Sequence, residues 1–380
     1  MESPNGRYFI NDKKSLPKPN CREELIESLT RINLYNPPVQ TCSTGWRLQG
    51  FFQGPTSIAY LFYKLSIIYP DLEFKGQSLL DWAQAYLALG TFEPKQAVDP
   101  DHCGIANETL ASLALNVVIS GDASLAQQLC SYRSIITSDD EPGSDEWLYG
   151  RAGYLYFLRL IRSHFRAHHS LSPMIDSTIE IVVERILRSP KPFTWRGKAY
   201  LGAAHGSVGI VVQIMLSVDS EQPTCEKVIS HLLKLQFESG NFPSSLGSEQ
   251  SDELVQFCHG APGFVVALQS IVSACRGPTE NIKNVIALAR VDAWQRGLLT
   301  KTPCLCHGIA GNALALENEE QFSHFLAHMT SERLEARGWL ADAGHTDRFA
   351  GLFGGEAGRA WVWAVADKGL PKTCIGFNDL

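Results

Sequence analysis

The sequence has no apolar run of about 18 residues free of charge, so a membrane-spanning helix is not expected. Its opening, MESPNGRYFINDKK, lacks the apolar core of a secretory signal. It has no excess of basic charge. Lysine and arginine total 33 against 40 acidic residues, a formal charge of -7, and this argues against a general nucleic-acid binder. Strand signals are few and short. The ten cysteines are scattered through 380 residues and do not form a disulfide scaffold, which points to a cytoplasmic chain with reduced thiols. What the chain does have is apolar content. At 44% hydrophobic and 19% charged it can bury a large core, and wholesale disorder is excluded.

A short glycine pattern recurs through the sequence. It reads Gly150-Arg-Ala-Gly153, Gly206-Ser-Val-Gly209, Gly260-Ala-Pro-Gly263, Gly308-Ile-Ala-Gly311 and Gly355-Glu-Ala-Gly358. Two degenerate copies precede these, Gly54-Pro-Thr-Ser57 and Gly104-Ile-Ala-Asn107. The first glycines are 50, 46, 56, 54, 48 and 47 residues apart. One such pair means little, but five at a near-constant period, each opening an apolar stretch, define a repeat. The bland account of the glycines is steric. Each lets the backbone turn with positive φ before a helix and lets helices converge at a crowded centre.

The stretches GYLYFLRL (153–160), GIVVQIMLSV (209–218) and GFVVALQSIVS (263–273) are apolar almost all round, as helices buried on every side are. Between them lie amphipathic segments at 21–32, 174–189, 225–236 and 281–295. Each repeat reads as an outer amphipathic helix, a loop and an inner buried helix. Seven repeats predict an all-α, seven-fold α/α toroid, a double-layered barrel; an open solenoid with an atypical first repeat as its cap is the alternative. The loop segments 138–146, 189–198 and 239–252 do not resemble interdomain linkers, so residues 1–380 read as one domain, with 1–20 as an arm or lid.

The residue before the first glycine of each repeat is, in order, Gln53, Cys103, Tyr149, His205, His259, His307 and Gly354. Around an axis these positions project toward one end. Three consecutive repeats carry histidine there, and two add a preceding cysteine: Cys258-His259-Gly260 and Cys306-His307-Gly308, one repeat apart. Clustered cysteine and histidine in a reducing compartment suggest zinc. Adjacent residues rarely both aim at one ion, so three protein ligands plus an open position is expected, with a closed four-ligand site as the alternative. Cys304 is a decoy candidate. Cys21, Cys42, Cys103, Cys130, Cys225, Cys275 and Cys374 read as small buried side chains.

These motifs resemble those of lanthionine synthetase C-like proteins of the eukaryotic branch. The similarity is carried by DEWLYGRAGYLYFL (145–158), WRGKAYLGAAHGSVGI (195–210), VQFCHGAPG (255–263) and CLCHGIAGNALAL (304–316). RYFIN (7–11), HTDRFAGLFGGEAG (345–358) and IGFNDL (375–380) are weaker matches. The resemblance implies a toroid with one Zn2+ per chain at an end of its axis, held by Cys258, Cys306 and His307. It implies His205 as catalytic acid/base, assisted by Asp145 or Glu146, between which the sequence does not choose. It also implies glutathione as co-substrate, with Lys301 and Arg7 as cationic partners. Lys301 stands five residues before Cys306, a short tether. His259 is expected to support the site from outside the ligand set. The bland account of Lys301 and Arg7 is two solvated surface cations, and that of His205 a buried histidine.

The chemistry so implied is addition of a thiol to dehydroalanine or dehydrobutyrine residues in a protein or peptide. The thiolate is the nucleophile, and a histidine near neutral pKa suits protonation of the resulting enolate. A lanthionine-forming peptide cyclase and a non-catalytic zinc- and glutathione-binding scaffold are the rivals. A prenyltransferase subunit also activates thiols in such a fold, but the two Cys-His-Gly triplets argue against it.

Overall fold

Six helices begin on the residue after a repeat's first glycine, and a seventh begins after Asn107. They are α2 (Pro55–Ile68), α4 (Glu108–Ser120), α7 (Arg151–His164), α9 (Ser207–Ser217), α11 (Ala261–Ile271), α13 (Ile309–Ala313) and α16 (Glu356–Asp367). In the degenerate second repeat Asn107 replaces the second glycine. Its side chain accepts from Leu110 N at 2.9 Å, so the helix is capped there and starts three residues late. The computed structural model describes residues 2–14, 16–39, 46–90, 96–140, 143–165, 170–275, 279–340 and 350–380. Cys42 and residues 345–349 of the seventh block lie outside them.

The seven helices form the inner ring. Each packs against the next in chain order, α2 on α4, then α7, α9, α11, α13 and α16, and α16 returns to α2. The ring is closed, so the structure is the α/α toroid and the first repeat is not a cap. The inner helices are buried nearly throughout: in α9 every residue but Leu216 is buried. Each large apolar side chain so enclosed contributes about 1.5–3 kcal/mol relative to exposure.

The outer ring comprises α1 (Cys21–Tyr35), α3 (Leu79–Leu89), α5 (Ala123–Ser131), α6 (Arg133–Ile136), α8 (Ser172–Arg188), α10 (Gln222–Leu233), α12 (Glu280–Arg296), α14 (Glu319–Ala327) and α15 (Ser331–Ala336). In α8 the buried Ile175, Ile179, Val182, Val183 and Ile186 make one face, the pattern of a helix covered on one side only. The pairing differs in phase from the sequence expectation. An outer helix packs on the inner helix that precedes it: α3 on α2, α5 on α4, α8 on α7, α10 on α9, α12 on α11 and α14 on α13. Loop length explains this. Short connections follow the inner helices and fold the chain straight back, whereas long loops precede them. The leftover α1 closes the barrel on α16. Buried Arg359 and the less buried Arg31 both reach Glu356, at 2.5 and 3.0 Å, and seal that seam.

The glycine account also needs correction. Of the first glycines, Gly54 and Gly260 have φ of +98 and +113, but Gly150, Gly206, Gly308 and Gly355 have ordinary negative φ. Close approach is the general reason. A Cβ on the second glycine, Gly263 or Gly311, would lie 1.9 Å from the carbonyl oxygen of Phe257 or Leu305.

The segments that lead into the inner helices are stitched to each other at one end of the barrel. Phe51 N donates to Ile105 O at 2.9 Å, Ile105 N to Trp147 O at 3.3 Å and Trp147 N to Ala204 O at 3.2 Å. Further round, Cys258 N donates to Cys306 O at 3.0 Å, Cys306 N to Phe353 O at 2.9 Å and Phe353 N to Phe52 O at 3.0 Å. Between the two arcs, the Gly202 Cα faces Cys258 O, and a Cβ there would stand 2.3 Å from it. This collar is filled by Trp147, Phe257, Phe353 and Phe377, with Trp147 5.2 Å from both Phe353 and Phe377. The 375–380 segment plugs the axis: Gln213 Nε2 donates to Gly376 O at 2.7 Å and Tyr156 OH to Asp379 Oδ2 at 2.8 Å. No helix among the described residues is long and apolar enough to cross a membrane.

Candidate active site

Cys258 and Cys306 are themselves links of the collar, so backbone hydrogen bonds fix their spacing. One donor atom each from Cys258, Cys306 and His307 lies within 4.8 Å of the others. Both thiols are buried and His307 is half-buried. His259 and Cys304 are not in this group among the described residues. The Cys258 loop has strong local support. Asn241 Oδ1 accepts from Ala261 N at 2.7 Å and caps α11, while Asn312 Nδ2 donates to Val255 O at 2.9 Å.

The electrostatics suit soft-metal ligation. A hydrogen bond between the two sulfurs lowers the Cys258 thiol pKa and raises that of Cys306. Burial lowers the His307 pKa and leaves its imidazole neutral with a lone pair to give. Burial pushes Cys304 up to about 12, so it stays a thiol. Two sulfurs and one neutral imidazole are a donor set that fits zinc, with one tetrahedral position left over.

His205 lies on the segment before α9, with its ring 6.1 Å from that of His259, the chain neighbour of Cys258. Its Nδ1 is 2.8 Å from Glu146 Oε2. Glu146 is buried and also accepts from Leu148 N at 2.8 Å and from Tyr149 N, so the turn before α7 holds the carboxylate in place. Asp145, the other candidate, turns away. It pairs with buried Arg151 at 2.9 Å and meets no histidine among the described contacts. Of the two carboxylates, therefore, only Glu146 meets His205. With Nδ1 engaged, the Nε2 edge of His205 is the one available for proton transfer. Trp195 stacks on the His205 ring at 4.0 Å, Tyr149 stacks on Trp195 at 5.7 Å, and the His259 ring lies 6.1 Å from His205. Trp195 is presented by a tight turn in which Trp195 and Lys198 exchange backbone hydrogen bonds around Arg196 and Gly197, at φ of 48° and 75°.

Lys301 is exposed, and its Nζ is 3.2 Å from Gln256 Oε1. Arg7 sits on the rim. Thr300 N donates to Arg7 O at 3.1 Å and Phe9 N to Leu298 O at 2.7 Å, so the N-terminal segment is strapped to the strand of chain that leads to Lys301. The Arg7 guanidinium pairs with exposed Glu253 at 2.6 Å. Sequence reasoning missed Trp195, Gln256 and Asn241 as parts of the site. Trp195 and Gln256 lie inside motif segments, but neither residue type signals this chemistry.

Comparison with known proteins accords with this geometry. The model of the family described as Lanthionine synthetase C-like protein matches residues 53–365. The chain belongs to that family. It is similar to a Danio rerio protein named Glutathione S-transferase LANCL1, at 33% identity over 184 residues. That match takes in 44% of this chain and 45% of the relative, just under half of its length. Among solved structures, nisin cyclase superposes with a TM-score of 0.60 over 93% of this chain and 95% of its own, at 14% identity. At that identity the likeness is one of fold, the α/α toroid.

Proposed function

We propose that this protein is a zinc-dependent thiol-addition enzyme that joins glutathione to dehydroalanine or dehydrobutyrine residues of a protein or peptide. The observation that carries this reading is the Cys258–Cys306–His307 donor group together with the His205–Glu146 pair, the His205 ring lying 6.1 Å from that of His259, which adjoins Cys258 in the chain. Cys258, Cys306 and His307 would hold a zinc ion, which would favour the thiolate of the incoming thiol, the minor form of a free thiol at neutral pH.

The remaining work falls to the chain. As the sulfur bonds to the acceptor Cβ, the alkene π pair moves through Cα toward the carbonyl oxygen. The Nε2–H of His205 then delivers its proton to Cα, and the proton released by the thiol restores the imidazolium by way of solvent. The net change is addition of S–H across the C=C bond. Glu146 accepts from Nδ1, holds the ring and balances the positive charge whenever both nitrogens are protonated. Such general acid catalysis is worth on the order of 10²–10⁴-fold. Lys301 and Arg7, on segments paired with each other at the rim, offer cations to the glutathione carboxylates. The name of the zebrafish relative favours glutathione over a peptide thiol.

The test is direct. Purified protein is incubated with glutathione and a dehydroalanine-containing peptide, and the adduct is sought by mass spectrometry. A cysteine-bearing acceptor that cyclises instead would make the protein a peptide cyclase. Binding of zinc and glutathione with no product at all would make it a scaffold.

A further inference from the structure

Gln256 is buried, two residues before Cys258, and bridges two groups that matter. Its side-chain Nε2 lies 3.1 Å from Cys258 Sγ and its Oε1 lies 3.2 Å from Lys301 Nζ. An ammonium only donates, so Lys301 selects the amide oxygen and turns the NH2 group toward the sulfur. Gln256 N also donates to His259 O at 3.1 Å, which holds the residue and Cys258 in one tight turn.

We propose that Gln256 is a positioning residue of the metal centre, through which Lys301 acts on the Cys258 sulfur. The proposal rests on the zinc reading above. An N–H donor on a thiolate lowers the electron density it gives to an ion but holds the sulfur in its ligating position, so loss of the donor both enriches the sulfur and frees it to leave the ion. The Lys301 ammonium, on the far side of the amide, polarises that N–H and strengthens the effect. Lys301 therefore reaches the chemistry even where it touches neither substrate nor metal.

The experiment uses Gln256→Ala, Lys301→Met and the double variant, read in two ways besides turnover. One is the rate of zinc release to a chromogenic chelator. The other is the thiolate-to-cobalt charge-transfer band of cobalt-loaded protein. Partners of metal ligands typically change metal affinity 10–100-fold. Gln256→Ala should release zinc about tenfold faster or more and move the cobalt band to lower energy. Lys301→Met should do the same in smaller degree, and the double variant should match Gln256→Ala alone. Additive effects, or an unmoved band in Gln256→Ala, would overturn the relay. Should the buried substitution fail to fold, exposed Lys301→Met decides alone: an unmoved band overturns the proposal. Wild-type protein that takes up neither zinc nor cobalt would instead overturn the zinc reading itself.

Discussion

Trp195 lies flat on His205, with ring centroids 4.0 Å apart and planes 4° from parallel. Together with the Glu146 contact on Nδ1, this leaves the imidazole little freedom to rotate. An aromatic pair is worth about 0.5–1.5 kcal/mol beyond its buried area. Trp195→Ala should therefore lower the adduct-forming rate by roughly two- to tenfold, and Trp195→Phe should keep most of it. A change confined to KM for the acceptor would instead make Trp195 a substrate contact.

His205→Asn separates binding from chemistry. It should keep zinc and thiol affinity and slow adduct formation by at least about 100-fold. Loss of zinc in that variant would make His205 a ligand or its support, and unchanged turnover would reduce it to core filling.

Elemental analysis of the wild type should find close to one zinc per chain, and Cys306→Ala should lose most of it. Full occupancy after removal of both Cys258 and Cys306 would sink the site. The far-UV circular dichroism of metal-stripped protein should stay helical, because backbone bonds of the collar hold the donors in position.

Lys301→Ala should weaken use of glutathione by about 1–3 kcal/mol, the scale for a hydrogen bond to a charged group. A small uncharged thiol separates two routes. Loss for glutathione alone marks a carboxylate contact, and equal loss for both thiols marks action at the sulfur.

Burial raises the Glu108 carboxyl to about 7, against the hydrogen bonds it accepts from Thr56 and Gly50. An unfolded glutamate titrates near 4.3. Between these values the folded chain keeps a proton that the unfolded chain releases. Its contribution is thus fully present below the unfolded pKa and is lost as pH rises through about 7. The loss is on the order of 3 kcal/mol. Urea midpoints measured from about pH 5 to pH 8 should fall, and Glu108→Gln should flatten the slope. An unaltered slope would assign the effect to Glu356, which burial also raises to about 7.

The repeat, its closure and the meeting of two Cys-His blocks were legible because period and position carry over into a ring almost without loss. The phase of helix pairing was not, although the signal was present in the loop lengths: the chain returns at once after α9 but travels far before α11. The choice between Asp145 and Glu146 was illegible because neighbouring residues on an irregular segment point apart, and it is settled by contacts made in the fold: Glu146 is held by Leu148 N and Tyr149 N, and Asp145 by Arg151. Gln256 was invisible because a glutamine amide has no chemistry of its own; it acquires a role only from the lysine and sulfur at its two ends.

The collar has a consequence for how this chain can vary. Most of its segments are hydrogen-bonded to both the one before and the one after, so an added residue in one of these would slide two registers at once and disturb the spacing of the thiols. The outward-facing loops carry no such constraint. Lengthening should accumulate in them, and the ring of glycine-flanked segments should keep its count, as a bracelet can gain charms but not links.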